Sequence, residues 1–142
     1  MITNSFKENI NYILYRSPLV GTRFTLALAE FIWAITLLWQ GDTFQRPTYS
    51  GMAGIMSETM WGLTFLITAI VQAYLLISMR FHNSFAVVFT GYNAFLWMFV
   101  CISMYMSVYP PPSAISGELA LAFAASWVFM RSGFYCNDRE KR

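Results

Sequence analysis

Four long apolar stretches, separated by short polar or proline-bearing connections, limit what this chain can fold into more than any other feature. They run roughly from Val20 to Trp39, Met60 to Met79, Phe85 to Val108 and Ser113 to Met130, the last being the shortest. A bilayer core is about 30 Å thick, and a helix needs about 20 mostly apolar residues to cross it. Lipid offers the backbone no hydrogen-bond partners, so helices that satisfy their own amides are the expected solution. The sequence therefore predicts an all-α membrane protein with four transmembrane helices. Composition agrees: 57% of the 142 residues are hydrophobic and 11% are charged, whereas soluble domains carry about 25% charged residues.

The connections fit this division. Arg80, His82 and Asn83 interrupt the apolar sequence between the second and third spans. Pro110, Pro111 and Pro112 stop the third, because proline lacks an amide proton and clashes with a continuing helix. Orientation follows from the basic residues. The N-terminal segment carries Lys7, Arg16 and Arg23, Arg80 lies in the middle loop, and Arg131, Arg139, Lys141 and Arg142 follow the last span. Only Arg46 falls in the alternate loops, so both termini are expected in the cytoplasm of a bacterial inner membrane. Trp39, Trp61, Tyr105 and Tyr109 would then lie near the outer interface.

Three regions result: a cytoplasmic amphipathic segment over 1–19, a bundle over 20–130 and a charged cytoplasmic tail over 131–142. In the first, Ile2, Phe6, Ile10 and Ile13 recur at helical spacing, predicting a short helix on the inner membrane surface or under the bundle. The loop from Gln40 to Thr59 is the longest connection, and its part from Thr48 to Met56 is too apolar for free solvation. It is expected to pack over the outer mouth of the bundle or to dip into the interface.

The candidate site is a polar layer within the membrane. Glu30 lies seven residues past Arg23, or roughly 10 Å along a helix. Gln72 and Asn93 fall at roughly 12 and 13 Å from the same boundary on the next two helices. Ser126 on the fourth is placed with them, and Tyr74 and Tyr92 lie nearby. An ionisable group in hydrocarbon costs at least about 2.5 kcal/mol, so Glu30 should face the bundle interior. There it either bonds neighbouring helices together or lines a path for protons or cations. Glu118, in the first turns of the fourth helix, complements the helix dipole. Ala120, Ala122 and Ala124 on that helix form a small-residue face for close packing, within the chain or between subunits.

Other classes are disfavoured. The net charge of +2 does not point to nucleic acid. One histidine, His82, and two scattered cysteines, Cys101 and Cys136, make no metal or haem site, so no cofactor and no metal are expected. Cys101 reads as a small core residue and Cys136 as a free thiol. No nucleophile–base pair or phosphate loop is present, so no enzyme is expected.

The segments SPLVGTRFTLALAEFIWAITLLW and MWGLTFLITAIVQAYLLI resemble small multi-span membrane proteins of tailed bacteriophages, many of them holin-like. The resemblance covers residues 17–130 and implies a short helical membrane protein with a charged tail; holins usually have one to three spans. Three functions are consistent with the sequence. The first is an oligomer forming or regulating a permeability path. The second is a non-conducting exclusion, immunity or assembly factor bound to another membrane protein, and the third a small proton-coupled transporter. The partners expected are the lipid bilayer and either further copies of the chain or another membrane protein.

Overall fold

A computed structural model describes residues 18–40, 43–78, 84–109, 113 and 115–140. The expected helix over 1–16, the middle-loop residues Arg80 and His82, and the triple proline lie outside them. Every regular element among the described residues is helical: α1 (Pro18–Gln40), α2 (Ser50–Ala53), α3 (Glu58–Ile77), α4 (Ser84–Ser107) and α5 (Ile115–Glu140). Two short 3-10 turns, Thr43–Gln45 and Pro47–Tyr49, lead from α1 into α2. The α3 helix starts at Ser57, whose hydroxyl accepts from the Met60 amide at 3.4 Å, with Glu58 in its first turn. Both features satisfy the amide-rich end of a helix.

Three of these helices, α1, α3 and α4, are long and apolar enough to cross a membrane. Only 28%, 44% and 44% of their most apolar windows are buried inside the structure. More than half of each window therefore faces outward, as lipid contact requires. Phe24, Ile32, Ile67, Ile70, Val88 and Phe95 are among the large apolar side chains on this outer surface. Hydroxyls near that surface are turned back onto their own helices. Thr25, Thr36 and Thr64 donate to the carbonyls of Gly21, Ile32 and Met60 at 2.9–3.1 Å. Such back-bonding leaves no hydroxyl of the three unpaired toward hydrocarbon.

The α1 helix packs along α3, and α4 along α5, with α1 also touching α5. Gly62 permits the first pairing, since a Cβ there would lie 2.8 Å from the Leu38 Cγ. Large rings join the two pairs. Trp33, Phe65 and Trp97 meet with centroids 5.4–6.0 Å apart, distances at which offset or edge-to-face rings attract.

Two boundaries differ from the sequence reading. The last helix, expected to end near Met130, continues unbroken to Glu140. No glycine or proline stop follows Met130 except Gly133, which a helix tolerates. Trp61, expected at the outer interface, is buried and donates its indole N–H to the Met52 carbonyl at 3.1 Å. That bond is one of several fixing the loop over one end of the bundle. Glu58 accepts from the amides of Thr43 and Phe44 at 3.0 and 3.5 Å. The Gly51 amide donates to Ser107 Oγ at 3.1 Å, and Met52 is fully buried. Apolar content and amide bonding thus fold this loop back onto the helices.

Candidate functional site

On α1 the buried positions Arg23, Leu26, Glu30, Ala34 and Leu37 recur every three or four residues, so one stripe faces the interior. Two of its members carry charge. Arg23, read from the sequence as a cytoplasmic boundary residue, is 1% exposed, and its Nη2 donates to Ser132 Oγ on α5 at 2.8 Å. The difference arises because counting basic residues along the chain ignores helix face. Seven residues on, about two turns later, Glu30 is fully buried.

The Asn93 amide and the Trp97 indole, both on α4, lie beside the Glu30 carboxyl. Gln72 on α3 is 0% exposed and Asn93 1%. Both Glu30 oxygens, both polar atoms of the Gln72 and Asn93 side chains, and the Trp97 Nε1 have no hydrogen bond of good geometry. An unsatisfied buried polar group costs about 1–3 kcal/mol, so this cluster is costly for the fold. Ser126 stands apart: it is half-buried and donates to the Ala122 carbonyl of its own helix at 2.8 Å. Tyr74 is exposed, whereas Tyr92 is half-exposed but within electrostatic reach of Glu30.

On α5 the inward row is Glu118, Ala122, Ala125, Val128 and Ser132. Of the small residues singled out in the sequence, Ala122 is buried, Ala124 half-buried and Ala120 exposed. Ala120 therefore faces away from the bundle, because the contact with α4 follows a mixed three- and four-residue row rather than a strict spacing of four.

The N-terminal end of this row holds a second carboxylate. Glu118 is 8% exposed, and the Trp33 indole lies beside it. Its position in the first turn of α5 agrees with a dipole role, but the folded-back loop also buries it. An open-sided cleft of about 210 Å³ is bounded by Trp33, Leu37, Thr43, Tyr49 and Glu118. Burial, then the Glu118 charge, push the Tyr49 phenol above its usual range, with Arg46 acting in the opposite sense. Tyr49 is accordingly a neutral phenol at physiological pH.

The interior thus holds Arg23 with Ser132 at one end, Glu30 with Asn93 beyond it, and Glu118 at the other end. Trp33, Phe65 and Trp97 lie between the last two. Such carboxyls can exchange protons or attract a small cation. Among the described residues no group of three or more His, Cys, Asp or Glu side chains could hold a metal ion. The sequence identified Glu30 as an interior group but not Arg23 or Glu118. The seven-residue interval from Arg23 to Glu30 and the small residues one turn after Glu118 were the available signals. No family model, curated protein or solved structure matches the chain.

Proposed function

We propose that the chain is a four-span membrane protein, with both ends cytoplasmic, whose bundle interior carries or regulates the passage of a small cation, protons first. The observation that carries this reading is the burial of Arg23, Glu30, Gln72, Asn93 and Glu118 inside helices otherwise built for lipid. Ionisable groups at that depth are expensive and mark ion or substrate pathways by default. Support for α5 as the fourth span comes from Leu119, Phe123, Trp127 and Met130, apolar and outward at helical spacing. The distribution of basic residues supports the orientation.

The Trp33–Phe65–Trp97 cluster closes the interior and acts in this reading as a gate. The same dry plug favours a second reading, a non-conducting protein that binds another membrane protein. Purified protein in vesicles with an imposed pH gradient separates the two. Permeation predicts faster collapse of the gradient than in empty vesicles, slowed by Glu30→Gln and accelerated by Trp97→Ala. Escape of a large dye alongside protons would extend the reading to a holin-like lesion. Gradients that decay as in empty vesicles, with both the native chain and Trp97→Ala, would leave the partner-binding reading.

A further inference from the structure

The cleft beside the folded-back loop brings Glu118 and Trp33 together with Thr43 and Tyr49, a combination that proton passage alone does not require. Its lining includes the Glu118 carboxyl, more than nine-tenths buried and beside the Trp33 indole. Thr43, equally buried, also lines it. Two aromatic rings flank the space: Trp33 and Tyr49 meet edge to face, with centroids 6.1 Å apart. Ile32 and Leu37 provide the apolar remainder. The volume, about 210 Å³, equals that of about seven waters, too small for a drug-sized ligand.

The donor set narrows the ligand. Calcium takes six to eight oxygens and magnesium a near-ideal octahedron. This cleft offers one carboxylate and few hydroxyls, so it cannot strip a hard cation of its water. An anion would meet the Glu118 charge. A neutral apolar guest would leave the buried carboxyl without a polar partner. A cation clothed in methyl or methylene groups meets every condition: its charge faces Glu118, its faces rest on the indole and phenol, and its carbons touch Ile32 and Leu37. Aromatic faces combined with a negative charge are the recognised chemistry for quaternary and primary ammonium groups.

From this we infer that the cleft formed by Trp33, Thr43, Tyr49 and Glu118 binds a small alkylammonium group, presented by a free cation or by a lipid headgroup. The site shares Trp33 and Glu118 with the permeation reading, but binding is measured without flux, so the two fail separately. Arg46, close enough to act on Tyr49, is the nearby cation with which a ligand would compete.

The test uses the full chain in nanodiscs of phosphatidylglycerol, which carries no ammonium. Tetramethylammonium chloride is titrated by calorimetry and by tryptophan fluorescence, with sodium chloride as the ionic-strength control. Saturable heat and a fluorescence change with tetramethylammonium but not sodium are expected. Affinity should fall about tenfold in Trp33→Leu, a loss of about 1.4 kcal/mol of cation–π attraction, and further in Glu118→Gln. Repeating the titration in phosphatidylcholine nanodiscs identifies the source. A blunted response assigns the site to the headgroup, and an unchanged one to a free cation. Equal responses to sodium and tetramethylammonium, or none to either, would overturn the inference. So would full binding by a folded Glu118→Gln chain. If that variant does not fold, Tyr49→Leu at the half-buried side of the cleft takes its place, with the same tenfold loss expected and undiminished binding overturning the proposal.

Discussion

Replacing Glu30 by glutamine should stabilise the protein while slowing the proton passage proposed above. The substitution keeps size and shape but cannot ionise. In the native chain the two carboxylate oxygens, the two polar atoms of Asn93 and the two of Gln72 are all buried without well-formed hydrogen bonds. Placing a charge at that depth costs at least about 2.5 kcal/mol. An amide at position 30 both donates and accepts, so it can pair reciprocally with the Asn93 side chain beside it. One interhelical bond of this kind contributes about 0.6 kcal/mol on average. If the native carboxyl is ionised, the gain is then about 3 kcal/mol; if it is protonated, only the bond remains, at about 0.6 kcal/mol. The assay is reversible unfolding of the purified chain in mixed micelles by titration with a denaturing detergent, followed by helical circular dichroism. A gain within this range, together with loss of proton flux in vesicles, fits a group retained for function at the expense of the fold. A loss of more than about 1 kcal/mol would refute the reasoning, because it would mean that the carboxylate is a well-satisfied structural partner.

The other predictions concern packing and the loop. Gly62→Ala should cost about 1–3 kcal/mol by forcing α1 and α3 apart, and combining it with Leu38→Ala should recover most of that loss, since the nearest atoms belong to Leu38; the same detergent titration measures both. Ser107→Ala removes the acceptor of the Gly51 amide and should weaken the loop by about 1 kcal/mol, seen as faster hydrogen exchange at residues 50–54 with α3 and α4 unchanged. Glu58→Ala withdraws the carboxylate that accepts from two loop amides; charged acceptors contribute about 1.5–3 kcal/mol each, so proteolysis within the loop should accelerate markedly. Arg23→Met, which keeps the length of the side chain but deletes the bond to Ser132, should cost about 1–3 kcal/mol in the same detergent titration, because the buried Ser132 hydroxyl loses its donor.

Helix existence was legible because it depends on local quantities. An apolar stretch of about 20 residues and a proline or polar break define a span without reference to the rest of the chain. The helical segments accordingly begin and end within about two residues of those boundaries, except where α5 continues past Met130. Burial of Glu30, Gln72 and Asn93 was legible for the same reason, since an amide or carboxyl inside such a stretch has nowhere to go but inward. What escaped the sequence was everything set by rotation and by contacts distant along the chain. Arg23 looked like an interface anchor until its place on the Glu30 stripe and its bond to Ser132, 109 residues away, were seen. Glu118 looked like a dipole partner because nothing local indicates that the loop around Tyr49 folds over it. Ala120 looked like part of a packing face because a spacing of four does not say which way that face points.

The continuity of α5 has a mechanical consequence. Its 26 residues extend about 39 Å at about 1.5 Å per residue, some 9 Å more than the roughly 30 Å hydrocarbon layer is thick. If α5 is the fourth span, as proposed, its final turns continue it as rigid helix and do not act as a tether. A spin label or fluorophore fixed near Glu140 would then inherit every tilt of the spanning portion, amplified by leverage, and would report on movements deep in the membrane.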